Sequence, residues 1–248
     1  MKRILSHAEL LQLKRWNTPT IYNGWELITR EDRTQWMNVE ETRDFMPEMG
    51  PMVGYAVTLK IEPSNPAHKD QKGAWDAYRS YVASIEGPKI VVVEDLDKPQ
   101  VIGSFWGEVN ANVHRAQGCV GTITDGAIRD WDEMCNAGFK ALARRFCVGH
   151  AYVHPIEWGG EVEVFGQKIQ AGQLIHADKH GFLVIPEADQ AQLLEASIFM
   201  DQNECNTVIR AARESAGKSS SELLDALKVA GRQFGENAKA FGGKTGEW

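Results

Sequence analysis

Apolar positions in the middle of the chain switch between the spacing of a strand and the spacing of a helix. Residues 89–94 contain three consecutive valines, which is typical of a strand covered on both faces. Residues 52–61 are predicted to form a second strand. Between the two runs, one apolar face at helical spacing is formed by Trp75, Tyr78, Val82 and Ile85. The pattern therefore predicts strand–helix–strand units.

The last third of the chain predicts hairpins followed by helices. Residues 160–186 contain short apolar runs around glycine turns, which is typical of β-hairpins. Residues 191–215 are broadly helical, and Ser219 with Glu222 has the pattern of a capping box that begins the next helix. That helix has an apolar stripe formed by Leu223, Leu227, Ala230, Phe234, Ala238 and Phe241.

Residues 103–133 form the block on which the functional interpretation depends. Gly107 and Glu108 are predicted to open a helix within this block. The buried face of that helix is predicted from a four-residue recurrence of apolar side chains at Phe105, Val109 and Val113. Because the first N–H groups of a helix are unpaired, the start of this helix offers donors to an anion.

A strand, a turn and a loop are predicted after that helix. Residues 119–123 are an apolar run rich in β-branched side chains, and Asp125-Gly126 favours a tight turn. The next loop carries Arg129 and Asp130. Arginine offers a rigid fork of donors to a carboxylate, and an aspartate near a second acid suits Mg²⁺ or Mn²⁺. The same pair also fits an ordinary surface ion pair, so both interpretations stay open here.

The spacing of charged residues in this block resembles the signature of the RraA-like family. That family includes the class II pyruvate aldolases that act on 4-hydroxy-4-methyl-2-oxoglutarate and 4-carboxy-4-hydroxy-2-oxoadipate. The aldolases carry an acid, twenty intervening residues, Arg-Asp, and often another acid three residues later. In this sequence the corresponding positions are Glu108, Arg129, Asp130 and Glu133.

Two further segments extend the resemblance over about residues 18–189. Residues 54–58 resemble the family's early G-x-A-x-T strand, and residues 177–186 resemble its closing segment. The resemblance implies a layered α-β-β-α sandwich of the RraA-like type, assembled as a homotrimer or a dimer of trimers with sites between subunits. With the helical pattern at the C-terminus, it predicts an α/β domain over residues 1–189 and a helical extension over residues 190–248.

The resemblance also implies an activity. It is divalent-metal-dependent cleavage of a carbon–carbon bond in a small 2-oxo acid, by retro-aldol reaction or decarboxylation, through a pyruvate enolate. By resemblance, Asp130 is the direct ligand of Mg²⁺ or Mn²⁺, Glu108 holds metal-bound water, and Glu133 is a further acid of the metal site. Arg129 binds the oxygens of the oxo acid and helps to acidify a water.

The substrate carboxylate is expected at the backbone of the predicted helix start, at Gly107, Val109 and Asn110. Two of the positions depart from the characterised aldolases. Glu108 stands where those enzymes have the shorter aspartate, and Asn110 replaces a common leucine. The identity of the 2-oxo acid is therefore open.

A second class of function follows from the same resemblance, because the family's namesake inhibits an RNA-degrading ribonuclease by protein contact. The alternative function is thus a non-catalytic, protein-binding regulator of a ribonuclease. The four charged residues of the signature favour the enzyme, because an interaction surface has no need of converging metal-site acids.

Composition limits the remaining possibilities. The formal net charge is −7, the pI is about 5.6 and the basic residues are scattered, which argues against nucleic-acid binding. The four cysteines form no C-x-x-C pair, so a zinc ribbon or disulfide framework is not expected. No apolar run approaches the roughly eighteen residues of a membrane span, and the N-terminus lacks the features of a signal peptide. A cytoplasmic protein without membrane partners is expected.

Three residues near the middle of the chain are candidates for ligand contact. His150, Tyr152 and His154 alternate, so in an extended segment all three would point the same way. Their spacing matches no strong metal motif, so packing and hydrogen bonding are expected first and substrate contact second.

Overall fold

The computed structural model describes residues 4–242, which divide into two compact units. The first unit contains the chain up to Thr18 together with Thr34–Glu187, and the second contains Pro19–Arg33 and the chain from Ala188. The predicted limits at residue 189 stay a prediction, and residues 243–248 of the predicted extension lie outside the described residues. No helix in the described part of the chain is long and apolar enough to cross a membrane.

Most strands of the first unit join one mixed sheet of nine strands. The strands of this unit are β1 (Arg43–Asp44), β2 (Met52–Ile61), β3 (Lys89–Asp95), β4 (Ser104–Trp106), β5 (Cys119–Ile128), β6 (Lys140–Phe146), β7 (Glu157–Trp158), β8 (Val162–Val164), β9 (Gln167–Ile169), β10 (Leu174–Asp178) and β11 (Gly181–Ile185). Along the hydrogen-bonded path of the large sheet the order is β1-β6-β5-β3-β2-β10-β11, with β4 paired to β5 and β7 paired to β2. Strands β8 and β9 form a separate two-stranded sheet.

The centre of the sheet is parallel. β2, β3, β5 and β6 run in the same direction, and β4 is also parallel to β5. The carboxyl ends of these strands therefore meet at one edge, where open α/β sheets place their ligand sites. This edge carries Asp95 at the end of β3 and Arg129 directly after β5.

The valine-rich strand β3 is covered on both faces, as its sequence predicts. Val91 and Val93 belong to one apolar cluster, and Ile90 and Val92 belong to another. The period of two places alternate side chains of a strand on opposite faces. The strand begins with the buried Lys89, whose ammonium donates to carbonyl oxygens at the end of the preceding helix at 2.6 and 3.1 Å.

Eight α-helices complete the described chain. They are α1 (His7–Leu13), α2 (Thr18–Ile28), α3 (Ala74–Ser84), α4 (Glu108–Ala116), α5 (Trp131–Asn136), α6 (Gln190–Asn206), α7 (Val208–Glu214) and α8 (Ser220–Phe241). Helices α3, α4 and α5 connect the parallel strands, and the predicted mixed α/β class is confirmed. The capping box at the start of α8 is present with both of its hydrogen bonds.

The second unit joins an early helix to the three last ones. A methyl group on Gly24 of α2 would lie 2.7 Å from the backbone of Ser197 in α6, so the two helices touch at backbone distance. Trp25 and Thr29 both donate to the Asp189 carboxylate, at 2.8 and 2.7 Å. The apolar core of this unit contains Leu27, Met200, Val208, Ala230, Phe234 and Ala238.

Two local predictions in the central block are wrong. Phe105 lies in β4 rather than in the helix, and Val109 is 71% exposed, so the buried face of α4 is formed by Ala111 and His114 instead. Asp125-Gly126 makes no turn, because β5 continues through it with an irregular register. The buried Asp125 carboxylate accepts from the Asp95 N–H and from Lys98, which satisfies it within the sheet.

Candidate functional site

The Arg129-Asp130 pair lies in the link between β5 and α5. The Arg129 N–H donates to the carbonyl oxygen of Trp106 in β4 at 3.2 Å, which holds the link against the neighbouring strand. Asp130 has φ 52° and ψ 51°, the left-handed region that few residues other than glycine, asparagine and aspartate adopt. It precedes α5, yet its side chain does not cap that helix. The Asp130 carboxylate is thus directed elsewhere.

That carboxylate lies at the start of α4. One of its oxygens, Oδ2, accepts the backbone N–H of Glu108 at 3.1 Å, and Gly107 just before it has no side chain to cap the helix. A methyl group on Gly107 would lie 2.5 Å from Asp130 Oδ2 and 3.2 Å from Arg129 Nε. The φ of Gly107 is −172°, which any residue adopts, so a side chain at this position would displace the Asp130 and Arg129 side chains rather than strain the backbone.

The Arg129 guanidinium lies beside the same carboxylate, and we call the group formed by Gly107, Arg129 and Asp130 the Gly107 corner. Its Nε lies 3.8 Å from Asp130 Oδ2, and the two side chains are 36% and 34% exposed. Such a partly exposed pair contributes only about 0–1 kcal/mol of stability. Arg129 also lines a neighbouring cavity, so it faces a space that a small molecule can enter.

The cavity has a volume of about 310 Å³ and lies within the first unit. Its lining includes an apolar wall in which the rings of Trp75 and Phe105 stack at 5.5 Å with an angle of 11° between their planes. The complete lining is Trp75, Arg79, Ser104, Phe105, Gly107, Val109, Asn110, Arg129, His150 and Val153. It contains two arginines and no carboxylate.

All four residues predicted for substrate binding line this cavity, namely Gly107, Val109, Asn110 and Arg129. The amide of Asn110 donates to the carbonyl oxygen of Phe105 at 2.7 Å, which fixes the first turn of α4. The backbone N–H groups of such a turn lack intrahelical partners and can donate to a carboxylate. The structure therefore brings the predicted anion-binding residues together.

The residues predicted to bind a metal ion, Asp130, Glu108 and Glu133, do not converge on one point as the substrate-binding residues do. Glu108 and Glu133 are exposed, on α4 and α5 respectively. Within residues 4–242, no three histidine, cysteine, aspartate or glutamate side chains are placed to hold a metal ion together. Asp130 is the acid in the corner with Arg129. One carboxylate with several retained waters is a donor set that suits Mg²⁺.

A buried histidine, His114, holds helix α4 through two hydrogen bonds. Tyr78 donates to Nε2 of His114 at 2.9 Å, and Nδ1 of His114 donates to the carbonyl oxygen of Asn110 at 2.6 Å. Burial, with a smaller effect of the Arg79 charge, lowers the pKa of His114 to about 4. The ring is therefore neutral near pH 7, as one donating and one accepting nitrogen require. The sequence analysis did not identify this residue.

The predicted row of His150, Tyr152 and His154 is wrong. Ala151 has a positive φ of 46°, which ends any extended segment there. His150 lines the cavity, Tyr152 is exposed, and His154 is almost fully buried and accepts from the Trp75 indole at 3.1 Å. One of the three residues thus belongs to the site.

Comparison with known proteins identifies the family. The family model for RraA-like proteins, described as Aldolase/RraA, matches residues 18–184. The chain belongs to the RraA-like family. This result confirms the resemblance seen in the Glu108–Glu133 signature, which lies inside the matched range.

One curated relative of this RraA-like chain is similar to part of it. Protein DlpA of Legionella pneumophila subsp. pneumophila strain Philadelphia 1 is 22% identical over 150 residues, which is 59% of this chain and 23% of DlpA. The match therefore spans about a quarter of the length of this curated relative.

Two solved structures share the fold. An uncharacterized protein from Pseudomonas syringae pv. tomato has a TM-score of 0.68 at 20% identity, covering 91% of this chain and 95% of its own. RraAS2 of Streptomyces coelicolor, described as an unusual member of the RNase ES inhibitor RraA family, has a TM-score of 0.64 at 20% identity, covering 83% and 98%. The predicted RraA-like α/β fold is confirmed.

Proposed function

We propose that this protein is a divalent-metal-dependent lyase that cleaves a carbon–carbon bond in a 2-oxo acid and releases pyruvate. The observation that carries the proposal is the corner at Gly107. There a carboxylate from Asp130 and a guanidinium from Arg129 meet the start of α4 beside a small cavity. These three groups are an acid, a fork of donors and unpaired helix N–H groups, which together can bind a cation and an oxo acid.

The acids of this corner suit a hard cation. The Asp130 carboxylate, whose Oδ2 accepts the Glu108 N–H, would hold Mg²⁺ or Mn²⁺. Glu108 and Glu133 would take part through bridging water. When bound, the ion supplies Lewis acidity toward the 2-oxo oxygen and the negative charge that develops on it.

The chain's own groups would orient the substrate. The first-turn N–H groups of Val109 and Asn110 would donate to the carboxylate next to the 2-oxo group, helped by the positive end of the α4 dipole. The planar fork of Arg129 would bind the 2-oxo oxygens and stabilise charge as the bond breaks. A water near Arg129 would then supply or take the proton.

The assembly belongs to the proposal as well. By resemblance to the family, we expect a homotrimer or a dimer of trimers in which a neighbouring subunit completes the site. The exposed positions of Glu108 and Glu133 are compatible with that arrangement, because both side chains remain accessible to a second chain. Light scattering of the purified protein measures this mass directly.

The test is pyruvate release from oxaloacetate and from a panel of 4-hydroxy-2-oxo acids. Protein treated with EDTA is assayed before and after addition of Mg²⁺ or Mn²⁺, with lactate dehydrogenase and NADH reporting pyruvate. Turnover that depends on the added ion is expected for at least one compound. No turnover across the panel, or equal rates with and without the ion, would favour the ribonuclease regulator instead.

A further inference from the structure

Retro-aldol cleavage requires a group that takes a proton from the substrate, and the cavity beside helix α4 contains one candidate. Among its ten lining residues there is no aspartate, glutamate, lysine, cysteine or tyrosine. Arginine does not lose its proton in proteins, and the Ser104 hydroxyl is bonded to the carbonyl oxygens of Trp106 and Ala127 at 2.6 and 2.8 Å. Histidine is the side chain that most often transfers protons in catalysis, and the lining contains one histidine, His150.

The ring of His150 has one nitrogen that is bonded within the loop and one that is available. Nδ1 lies 2.9 Å from the carbonyl oxygen of Ala151. A carbonyl oxygen only accepts, so in the neutral ring Nδ1 carries the hydrogen and Nε2 has the lone pair. Within residues 4–242, Nε2 has no hydrogen-bond partner. The exposed ring can therefore accept a proton from a ligand through Nε2.

The backbone around His150 is held against the segment that leads into the site. The carbonyl oxygen of Gly149 accepts the N–H of Ser104, at the start of β4, at 3.0 Å. A methyl group on Gly103 would lie 2.6 Å from the carbonyl oxygen of His150, so the two segments touch at backbone distance. β4 then leads directly to the start of α4. These contacts fix the backbone that places His150 on the same cavity as Arg129.

We propose that His150 is a further catalytic residue, whose Nε2 takes the proton from the 4-hydroxyl group of a 4-hydroxy-2-oxo acid. This role rests on the proposed lyase function. As the O–H bond breaks, its electron pair forms the new carbonyl group at carbon 4. The electron pair of the bond between carbons 3 and 4 moves into the enolate of pyruvate.

A second proton transfer completes the reaction. The water near Arg129 supplies the proton that carbon 3 of the enolate receives, which gives pyruvate. His150 then releases its proton to the solvent, and the solvent replaces the proton that the water gave. The neutral ring is restored, and no proton is consumed overall.

Oxaloacetate provides a matched comparison, because its decarboxylation has no hydroxyl proton to remove. The departing carboxylate is already ionised and leaves as CO₂, while its electron pair moves into the same enolate. A group that only takes the hydroxyl proton is therefore needed for the aldol substrate and not for oxaloacetate. A residue that holds the site together is needed for both.

His150→Gln tests this role, since glutamine keeps a polar side chain there but has no nitrogen that takes up a proton. In steady-state pyruvate assays with Mg²⁺, the variant should cleave the 4-hydroxy-2-oxo acid about 10²-fold more slowly. Its rate on oxaloacetate should stay within about threefold of the wild type. His7→Gln, which replaces an exposed histidine of α1, should behave like the wild type on both compounds.

Free imidazole provides a second measurement. His150→Ala removes an exposed ring from the cavity, so imidazole added to the assay should restore part of the lost aldol cleavage and leave the rate on oxaloacetate unchanged. Melting curves of the same samples verify that both variants are folded. If oxaloacetate is not a substrate, the rescue by imidazole decides, and its absence then counts against His150.

Three results would overturn the role of His150 alone. They are aldol cleavage by His150→Gln at nearly the wild-type rate, losses of equal size on both compounds, and a wild-type protein that acts on oxaloacetate but on no 4-hydroxy-2-oxo acid. In each of these cases pyruvate is still released, so the lyase proposal stands. A wild-type protein that releases no pyruvate from any compound would contradict the lyase proposal and this role with it.

Discussion

Replacing Asp130 with asparagine separates the chemical role of this residue from its structural one. The two side chains have the same shape, and asparagine also adopts the left-handed backbone that position 130 requires. The amide oxygen can still accept the Glu108 N–H that now lies 3.1 Å from Oδ2. The substitution therefore removes one negative charge and little else.

The stability change should be small. A hydrogen bond to a charged acceptor contributes about 1.5–3 kcal/mol and one to a neutral acceptor about 0.5–1.5, and a carboxylate at a helix start adds about 0.3–1. The Asp130 side chain is 34% exposed, so solvent reduces these differences. We expect a loss of about 1 kcal/mol or less, which lowers the melting temperature by at most about 4 °C.

The activity change should be much larger. If Asp130 holds the ion that stabilises the developing charge, its loss raises the activation free energy by several kcal/mol. This lowers kcat by at least about 10²-fold. Steady-state pyruvate release across Mg²⁺ concentrations measures this, with melting curves on the same samples. Asp132→Asn, an exposed neighbour on α5, is the matched control for charge. A rate within threefold of the wild type and an unchanged Mg²⁺ dependence would refute the metal assignment.

A second substitution perturbs the same corner from the other side. Gly107→Ala places a methyl group 2.5 Å from Asp130 Oδ2 without straining its own backbone, so the carboxylate must move. We expect weaker Mg²⁺ dependence and lower kcat with little change in melting temperature. Gly160→Ala, where an added methyl meets no atom within 4 Å, should leave both unchanged. Equal behaviour of the two alanine variants would contradict the importance of the close approach.

Three further outcomes are expected. Arg129→Lys should lower kcat by about 10²-fold because lysine lacks the planar fork, and a loss below about threefold (~0.7 kcal/mol) would leave Arg129 a surface residue. Phe234→Ala should destabilise the second unit by about 3–5 kcal/mol in urea unfolding, because Phe234 lies in its apolar core. Leu224→Ala removes a side chain that is 65% exposed and should destabilise it by less than ~0.5 kcal/mol. Similar values for the two variants would show that the apolar stripe of α8 is not buried. Burial raises the pKa of Asp95 from 3.8 to about 7, so its contribution to the free energy of unfolding is fully present below pH 3.8. This contribution, at most about 4 kcal/mol, is lost as the pH rises through 7. Asp95→Asn should therefore gain stability relative to the wild type between pH 5 and 8 in urea unfolding, and a constant difference would be inconsistent with a protonated Asp95.

Elements with strong local signals were predicted correctly. The valines of β3 have a fully buried pattern, and Ser219 with Glu222 satisfies the donors of one helix start without help from the rest of the fold. The Asp125-Gly126 dipeptide was misread because its turn preference is outweighed by contacts distant in sequence. The Asp125 carboxylate finds its partners on Asp95 and Lys98, so the strand passes through.

The candidate site likewise has a part that the sequence predicted and a part that depends on the tertiary fold. The resemblance located Gly107, Arg129 and Asp130, because their spacing is a property of the sequence. The contact of Asp130 with the start of α4 depends on how β4 and β5 pair, which no local pattern contains. The sequence analysis did not single out Arg79, which lines the cavity because helix α3 packs beside β4 and α4.

The early position of α2 in the chain has a consequence for protein synthesis. Trp25 is fully buried, and its partner Asp189 follows 164 residues later. At roughly 5–20 residues per second, α2 leaves the ribosome on the order of ten to thirty seconds before its partners in the second unit exist. Until then the Trp25 indole lacks the carboxylate to which it donates in the folded protein. A nascent chain that stops at residue 189 leaves Gly24 without Ser197 and the helix without its packing surface.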